Sequence, residues 1–174
     1  RDPGGTKVGD RIRSVLLDFD LASMDIRCET FLFMASRAQL VSEVIRPALA
    51  EGHLVLCDRF ISATCAYQAA AGYDLEAILS LGRQAVGTTW PALTIVLDVP
   101  PDVGSERLQG RHAAPAKHLD AMERRPRSFH DQVRANFLAL PGRYPAPVEI
   151  VDASGPMEQV VNTLWERLER FNES

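Results

Sequence analysis

The sequence predicts an α/β protein in which helices cover both faces of a parallel β-sheet, a three-layer arrangement. Short apolar runs at 54–57, 93–99 and 148–152 favour buried strands, because strands covered on both faces are continuously apolar. Helical patterns separate these runs, and such alternation is typical of a parallel sheet. The length of 174 residues, with 46% hydrophobic and 24% charged residues, predicts one globular domain over residues 1–174.

The charge and cysteine content narrow the class of protein. A net charge of −4 argues against a protein that wraps a nucleic-acid polymer, because such proteins need a basic surface. Cys28, Cys57 and Cys65 are odd in number and lack the spacing of a metal site, so we expect reduced thiols in a cytoplasmic protein. No run of about 18 apolar residues occurs, so we expect no membrane-spanning helix.

The helical stretches carry recognisable start and stop signals. We predict helices over 8–16, 26–45, 61–71, 75–86, 101–109, 120–138 and 156–171. Asp25 and Asp74 suit the cap position at the start of two of them, and Pro47 is expected to loosen the end of the long second helix. Residues 110–120 are polar and small with no apolar period, which predicts a mobile loop.

Charged and polar side chains follow the first predicted strand. Asp58 and Arg59 come directly after 54–57, and ligands bind at the carboxyl ends of strands in open α/β sheets. A guanidinium can hold a phosphate with two hydrogen bonds, and a carboxylate can hold Mg²⁺ through water. The helix that follows carries polar groups about one turn apart, at Thr64, Tyr67 and Gln68. These residues indicate a nucleotide site, although a strand-end salt bridge before a surface helix remains an alternative.

Several motifs occur in order along the chain. They are RDPGGT at 1–6, VGDRIR at 8–13, MDIRCETFLFMASR at 24–37, DRF at 58–60, AYQ at 66–68, LDVP at 97–100 and VDA at 151–153. In this order and spacing they resemble the bacterial thymidylate kinase family nearly end to end. The resemblance implies a P-loop-kinase-like fold, a homodimer and the phosphorylation of thymidine monophosphate (dTMP) to the diphosphate by ATP with Mg²⁺.

The resemblance implies a dTMP site. Its residues are Arg1, Arg13, Phe33, Arg37, Arg59, Thr64, Tyr67 and Gln68. Phe33 would stack on thymine, because an aromatic face suits a flat base. Arg37 would donate to a thymine carbonyl, and Thr64 and Gln68 would bind other polar atoms of the base. The remaining arginines would surround the monophosphate, and Tyr67 would pack against the deoxyribose. Without the resemblance, Phe33 also fits a plain core position and Arg37 a solvated charge.

The same resemblance implies a catalytic and ATP-binding set, namely Asp2, Asp58, Arg59, Arg111, Asp152 and Ala153. Asp58 would hold Mg²⁺ through water, and Asp2 would lie near the transferred phosphoryl group. The predicted loop 110–120 would act as a lid whose Arg111 closes over the phosphates. The last two residues of the set would lie beside the adenine of ATP.

The sequence departs from the family's pattern in one large respect. The chain contains no Gly-x-x-x-x-Gly-Lys-[Ser/Thr] phosphate loop, the element that cradles the ATP phosphates in this family. We expect a segment of roughly 35 residues carrying the first strands and this loop to precede Arg1. Asp2 and Phe60 also stand where the family usually has Glu and Tyr. Two alternatives therefore stay open: a non-catalytic nucleotide-binding or interaction protein, and a related kinase for another nucleoside monophosphate.

The missing phosphate loop leads to the first prediction. We expect the 174 residues alone to give no turnover of ATP and dTMP, because nothing in them provides the backbone amides and lysine of the loop. An assay of ADP release with dTMP measures this. Turnover at an ordinary kinase rate would contradict the expectation.

Overall fold

The computed structural model describes residues 2–18, 24–112 and 125–173. The helices in these ranges are α1 Lys7–Asp18, α2 Ile26–Leu40, a π-helical turn Val41–Ile45, α3 Arg46–Ala50, α4 Ile61–Ala70, α5 Leu75–Val86, α6 Pro101–His112, α7 Arg127–Leu138 and α8 Met157–Glu173. The strands are β1 Thr94–Asp98 and β2 Val148–Asp152. The mixture of helices with a parallel sheet confirms the predicted α/β class.

The two strands pair in parallel. Thr94 lies opposite Val148 and Asp98 opposite Asp152, so the carboxyl ends of both strands meet at one edge. Helix α7 packs against β1, and α8 packs against β2. Two of the three predicted strands are therefore confirmed, with boundaries within one residue of the apolar runs.

The third predicted strand, 54–57, is wrong. Residues 53–57 form neither helix nor strand, and Leu54 and Leu56 are each 97% exposed. Alternate side chains face opposite directions: Leu54 and Leu56 face solvent, whereas Val55 and Cys57 pack against the hydrophobic core. A strand also needs a hydrogen-bonded neighbour, and the described ranges contain one pair of strands only, β1 with β2. The apolar run thus has the alternating side-chain exposure of a strand but no hydrogen-bonded partner strand in the described ranges.

The hydrophobic core lies mainly between α2, the π-helical turn, α4 and α5. Its buried residues are Met34, Leu40, Val41, Ile45, Phe60, Ile61, Cys65, Ile78, Leu79, Val86, Leu140 and Tyr144. Helix α4 is buried on nearly every side, from Ile61 to Ala66 and again at Gln68. A polar residue at such a position needs a partner inside the protein.

The predicted helix signals are largely confirmed. The Asp25 side chain accepts a hydrogen bond from the backbone N–H of Arg27, and that of Asp74 accepts one from Ala77. The π-helical turn ends at Ile45, two residues before Pro47, which has no N–H to donate to the helical hydrogen bonds.

Two helix boundaries differ from the sequence-based ones. Helix α7 begins at Arg127, after Pro126, because proline has no backbone N–H and is disfavoured in a helix interior. Helix α6 continues to His112, so 110–112 are helical where a loop was predicted. The rest of that predicted lid loop lies outside the described residues. In the described ranges, no helix is both long enough and apolar enough to span a bilayer.

Two helical glycines provide a test of how tightly α5 packs. A Cβ at Gly82 would lie 3.0 Å from Ile61 Cδ1, whereas one at Gly104 would meet no described atom within 4 Å beyond its own helix. Because Ile61 is fully buried, we expect Gly82→Ala to lower the free energy of unfolding by about 1–2 kcal/mol. Gly104→Ala should raise it by up to about 1 kcal/mol through helix propensity. Urea unfolding measures both, and equal effects would contradict the packing.

Candidate nucleotide-binding site

The amino-terminal turn is fastened to two other parts of the chain. The backbone N–H of Asp2 donates to the carbonyl of Asp58 (3.1 Å), and that of Gly4 donates to Ser36 Oγ (3.2 Å). Gly4 and Gly5 have φ of 121° and 81°, in the region that favours glycine. The turn therefore joins α2 to the segment that carries Asp58. The family resemblance assigns residues of all three segments to one site.

Arg37 of α2 lies at the centre of a buried polar network. Its Nε donates to Asp2 Oδ2 (2.5 Å), and its Nη1 donates to Thr64 Oγ1 (2.6 Å). All three side chains are almost fully buried, with Arg37 only 1% exposed. The ion pair therefore links the turn, α2 and α4, which are far apart in sequence. Arg37 and Thr64, both predicted to bind the base, are brought together.

Asp2 is in an unusual environment for a carboxylate. It is 0% exposed, and its second oxygen, Oδ1, is buried with no hydrogen-bond partner in the described ranges. Burial raises the pKa of Asp2 above the ordinary range, and the attraction of Arg37 offsets this only in part. The sequence placed Asp2 beside the transferred phosphoryl group. In the structure, its described contacts hold Arg37 and the backbone at Asp58.

A second buried polar pair joins α2 to α4. Gln68 Nε2 donates to Glu29 Oε1 (2.9 Å), and the two residues are 2% and 1% exposed. Burial raises the pKa of Glu29, with a smaller opposing effect from the hydrogen bond of Gln68 and the charge of Arg125. The sequence reading missed Glu29. The signal was its spacing, since Glu29, Phe33 and Arg37 are four residues apart and share one helix face.

Phe33 lies on α2 between the residues that form the two polar pairs. It is half-buried, and the Arg37 guanidinium carbon lies 5.7 Å from its ring centroid and 6.0 Å from that of Phe60. Phe31 is on a different part of the helix and is 51% exposed. The arrangement gives one accessible aromatic face with polar groups above and below it along the helix.

Arg59 and Tyr67 form a neighbouring part of the site. The Arg59 guanidinium carbon lies 5.1 Å from the Tyr67 ring centroid, within the range of a cation–π contact. Arg59 has φ 67°, a left-handed conformation that is uncommon for a residue with a side chain. Tyr67 also contacts the rings of Phe129 and Phe137. The exposed guanidinium is thereby held over α4, one residue after the exposed Asp58.

Arg13 of α1 stabilises the turn. Its Nη1 donates to the carbonyl of Pro3 (3.0 Å), which brings a second predicted phosphate-binding arginine, after Arg59, to the same region as Asp2. Arg1, the remaining one, lies outside the described residues. Arg111 is helical in its backbone at the end of α6, but its side chain lies outside the described residues.

The predicted adenine-binding pair lies at the carboxyl end of β2. Ala153 N–H donates to the carbonyl of Asp98 at the end of β1 (2.8 Å), and Asp152 Oδ1 accepts from the Ser154 N–H (2.8 Å). The pKa of Asp152 is lowered by the hydrogen bonds from Ser154. Arg107 of α6, which the sequence reading missed, donates to the carbonyl of Ala153 (2.8 Å). This cluster contacts the sheet, and no described hydrogen bond or ion pair joins it directly to Arg37.

The described ranges contain no group of three or more His, Cys, Asp or Glu placed to hold a metal ion. A Mg²⁺ in a phosphoryl-transfer site normally uses one or two carboxylates, with water and substrate phosphates completing its shell. The exposed Asp58 is a carboxylate of the kind that such a shell uses. The described cysteines Cys28, Cys57 and Cys65 are free thiols.

The parallel sheet and the helices that pack against it define an α/β protein, and the buried polar network around Arg37 is its candidate nucleotide-binding site. A sequence model described as thymidylate kinase matches residues 1–164. Thymidylate kinase from Syntrophotalea carbinolica is 41% identical over 95% of this chain and 77% of its own length. The enzymes of the same name from Desulfosudis oleivorans and an Exiguobacterium species are 42% and 43% identical, each over 98% of this chain and 81% and 80% of their own lengths. The chain belongs to the thymidylate kinase family.

The buried ion pair predicts a large effect on stability. Arg37→Met leaves the buried carboxylate of Asp2 without its partner, so we expect it to lower the free energy of unfolding by about 3–5 kcal/mol. Arg127→Met removes the exposed pair with Asp102 and should change stability little. Urea unfolding compares the two. The double variant Asp2→Asn/Arg37→Met should recover part of the loss, and equal costs for Arg37→Met and Arg127→Met would contradict the account.

The raised pKa of Glu29 predicts a pH dependence of stability. Between the unfolded pKa of about 4.3 and the higher folded value, the native state binds more protons, so its stability falls as pH rises. Glu29→Gln keeps an acceptor for Gln68 and removes this loss. We expect the variant to melt a few degrees higher than wild type at neutral pH, with the gap closing as pH falls below about 4. A gap independent of pH would refute the assignment.

Proposed function

We propose that this protein phosphorylates dTMP to dTDP with ATP as the phosphoryl donor, a reaction of nucleotide biosynthesis. One observation carries the proposal: the half-buried Phe33 lies on α2 between Arg37, which is bonded to Thr64, and Glu29, which is bonded to Gln68. A flat base stacks on an aromatic face, and polar groups at its edges select among bases. The family membership supports the kinase function over a non-catalytic role.

The polar groups of this region match the edge of thymine. Thymine offers two carbonyl oxygens and one N–H, so it needs both donors and an acceptor. Arg37 has five N–H donors, and its bonds to Asp2 and Thr64 leave capacity for a carbonyl. The same two bonds hold the guanidinium in one orientation. A preorganised donor favours its ligand because little rotamer freedom is lost on binding.

The monophosphate and the reacting oxygen belong beside Asp58 and Arg59. The exposed Arg59 guanidinium is held over Tyr67, where it can bind phosphate oxygens with two hydrogen bonds. Arg13 supplies further positive charge from the side of the turn. The family resemblance also assigns Arg1, which precedes Asp2 in the sequence, to the monophosphate. Tyr67 covers the sugar. These groups bind dTMP, neutralise its phosphate and orient one oxygen in line with the donor phosphorus.

The exposed Asp58 would hold Mg²⁺ through water, and the bound ion would supply positive charge that neutralises the donor phosphates. Asp2 acts by positioning, since it fixes Arg37 and bonds the backbone of Asp58. Asp152 and Ala153 lie beside the adenine, where the loop is held by Arg107. The family resemblance assigns Arg111, at the end of α6, to the phosphates of the donor.

The protein acts as a single cytoplasmic domain and pairs with a second copy. The free thiols of all three cysteines support a reducing compartment. Exposed apolar side chains on the α2–α3 region, at Phe31, Val44 and Leu49, support a homodimer, since such groups commonly mark a contact surface.

Two phenylalanines on α2 make a matched test of the base site. Phe33→Ala removes the stacking face, so we expect dTMP binding to weaken by about 10–100-fold. Phe31→Ala removes an exposed ring two residues away and should leave dTMP affinity within about twofold of wild type. Titration calorimetry with dTMP measures both variants. No binding by wild type, or equal losses in both variants, would overturn the proposed base site.

A further inference from the structure

We propose that Glu29 is a positioning residue for base selection: it fixes the Gln68 carboxamide so that its oxygen faces N3 of the pyrimidine. The inference rests on the proposed function and assigns the choice between thymine and cytosine to one buried hydrogen bond between α2 and α4. N3 distinguishes these two bases, because it is an N–H donor in thymine and an acceptor nitrogen in cytosine.

A glutamine amide alone does not specify which base it accepts. Its two ends are a donor and an acceptor of nearly equal size, and rotation by half a turn exchanges them. Gln68 could therefore present either end to a pyrimidine, and would then tolerate thymine and cytosine alike.

The carboxylate of Glu29 removes this ambiguity. An ionised carboxylate can only accept hydrogen bonds, so the Gln68 NH₂ must be the group that faces it. The structure has this arrangement, with Nε2 of Gln68 2.9 Å from Oε1 of Glu29. The opposite end of the amide, Oε1, then points away from Glu29 as an acceptor. Reversing the amide would set two acceptors against each other in a buried place, which is costly.

The location of the pair suits this role. Gln68 is one turn after Thr64 on α4, and Glu29 is one turn before Phe33 on α2. Both members of the pair are at most 2% exposed, so water does not compete for the bond. In the proposal, Glu29 acts on the base through Gln68.

The test uses the full-length protein, with dTMP, dUMP and dCMP titrated by calorimetry at about pH 8, above the ordinary carboxyl range. Glu29→Gln keeps the shape of the side chain but can donate as well as accept, so the Gln68 amide is free to reverse. We expect dCMP to gain on dTMP by about tenfold or more in this variant. The ratio of dTMP to dUMP, which reports the 5-methyl group, should stay within about twofold of wild type.

Two further variants separate orientation from packing. Glu29→Asp keeps a group that only accepts, so it should retain the preference for dTMP over dCMP even if overall affinity falls. Asn136→Ala removes a bond to the carbonyl of Ala66 on α4 (2.9 Å in the wild type) without touching the amide, and should leave both ratios unchanged.

The outcomes are distinct. An unchanged dTMP to dCMP ratio in Glu29→Gln overturns the inference and leaves the proposed function standing. If Glu29→Gln lowers both the dTMP to dCMP ratio and the dTMP to dUMP ratio, or if Asn136→Ala causes the same loss, then Glu29 acts through packing and the inference is overturned. If Glu29→Gln does not fold, loss of the cytosine discrimination in Glu29→Asp overturns the inference. Failure of the wild-type protein to bind dTMP overturns the proposed function, and the inference with it.

Discussion

The buried ion pair between Arg37 and Asp2 is the interaction on which the rest of the site depends. It connects residues 35 positions apart, and the same guanidinium reaches Thr64 on a third segment. A charge in this location is tolerated only with its partner, because removing either member leaves the other uncompensated in the interior. The orientation of α2 against α4, and the position of the amino-terminal turn, are therefore coupled through one side chain.

The second polar pair, Glu29 with Gln68, repeats the same arrangement two helical turns away along α2. Polar groups buried between helices contribute less to stability than apolar packing does, but they admit few alternative alignments. One hydrogen bond between α2 and α4 lies a helical turn before Phe33, and another lies a turn after it. The two helices therefore cannot slide or rotate past each other without leaving buried polar groups unpaired. A rigid slot of this kind suits a planar ligand that is distinguished by the pattern of donors and acceptors on its edge. The apolar core beneath α4 and α5 supports the same alignment.

Local features of the fold could be predicted from the sequence, and long-range pairings could not. Asp25 and Asp74 cap their helices as expected, because capping depends on residues two or three positions away. The apolar run 54–57 predicts a strand from local pattern, although a strand also requires a hydrogen-bonded partner that local pattern does not report. The family resemblance predicts Asp2 near the transferred phosphoryl group, whereas its buried bond to Arg37 on α2 is a long-range contact that local pattern does not report. Glu29 was missed because a single acidic residue in a helix ordinarily faces solvent, and its burial comes from packing against Gln68.

The most direct measurement is a crystal structure of the protein with dTMP bound. The account predicts that thymine stacks on Phe33 at about 3.5–4 Å, with its N3 facing Gln68 Oε1 and its phosphate beside Arg59. A base bound elsewhere, for example against Ala153 at the carboxyl end of β2, would contradict the central claim that α2 and α4 form the base site. A base on Phe33 whose N3 faces away from Gln68 would confirm that site and refute the assigned role of the carboxamide.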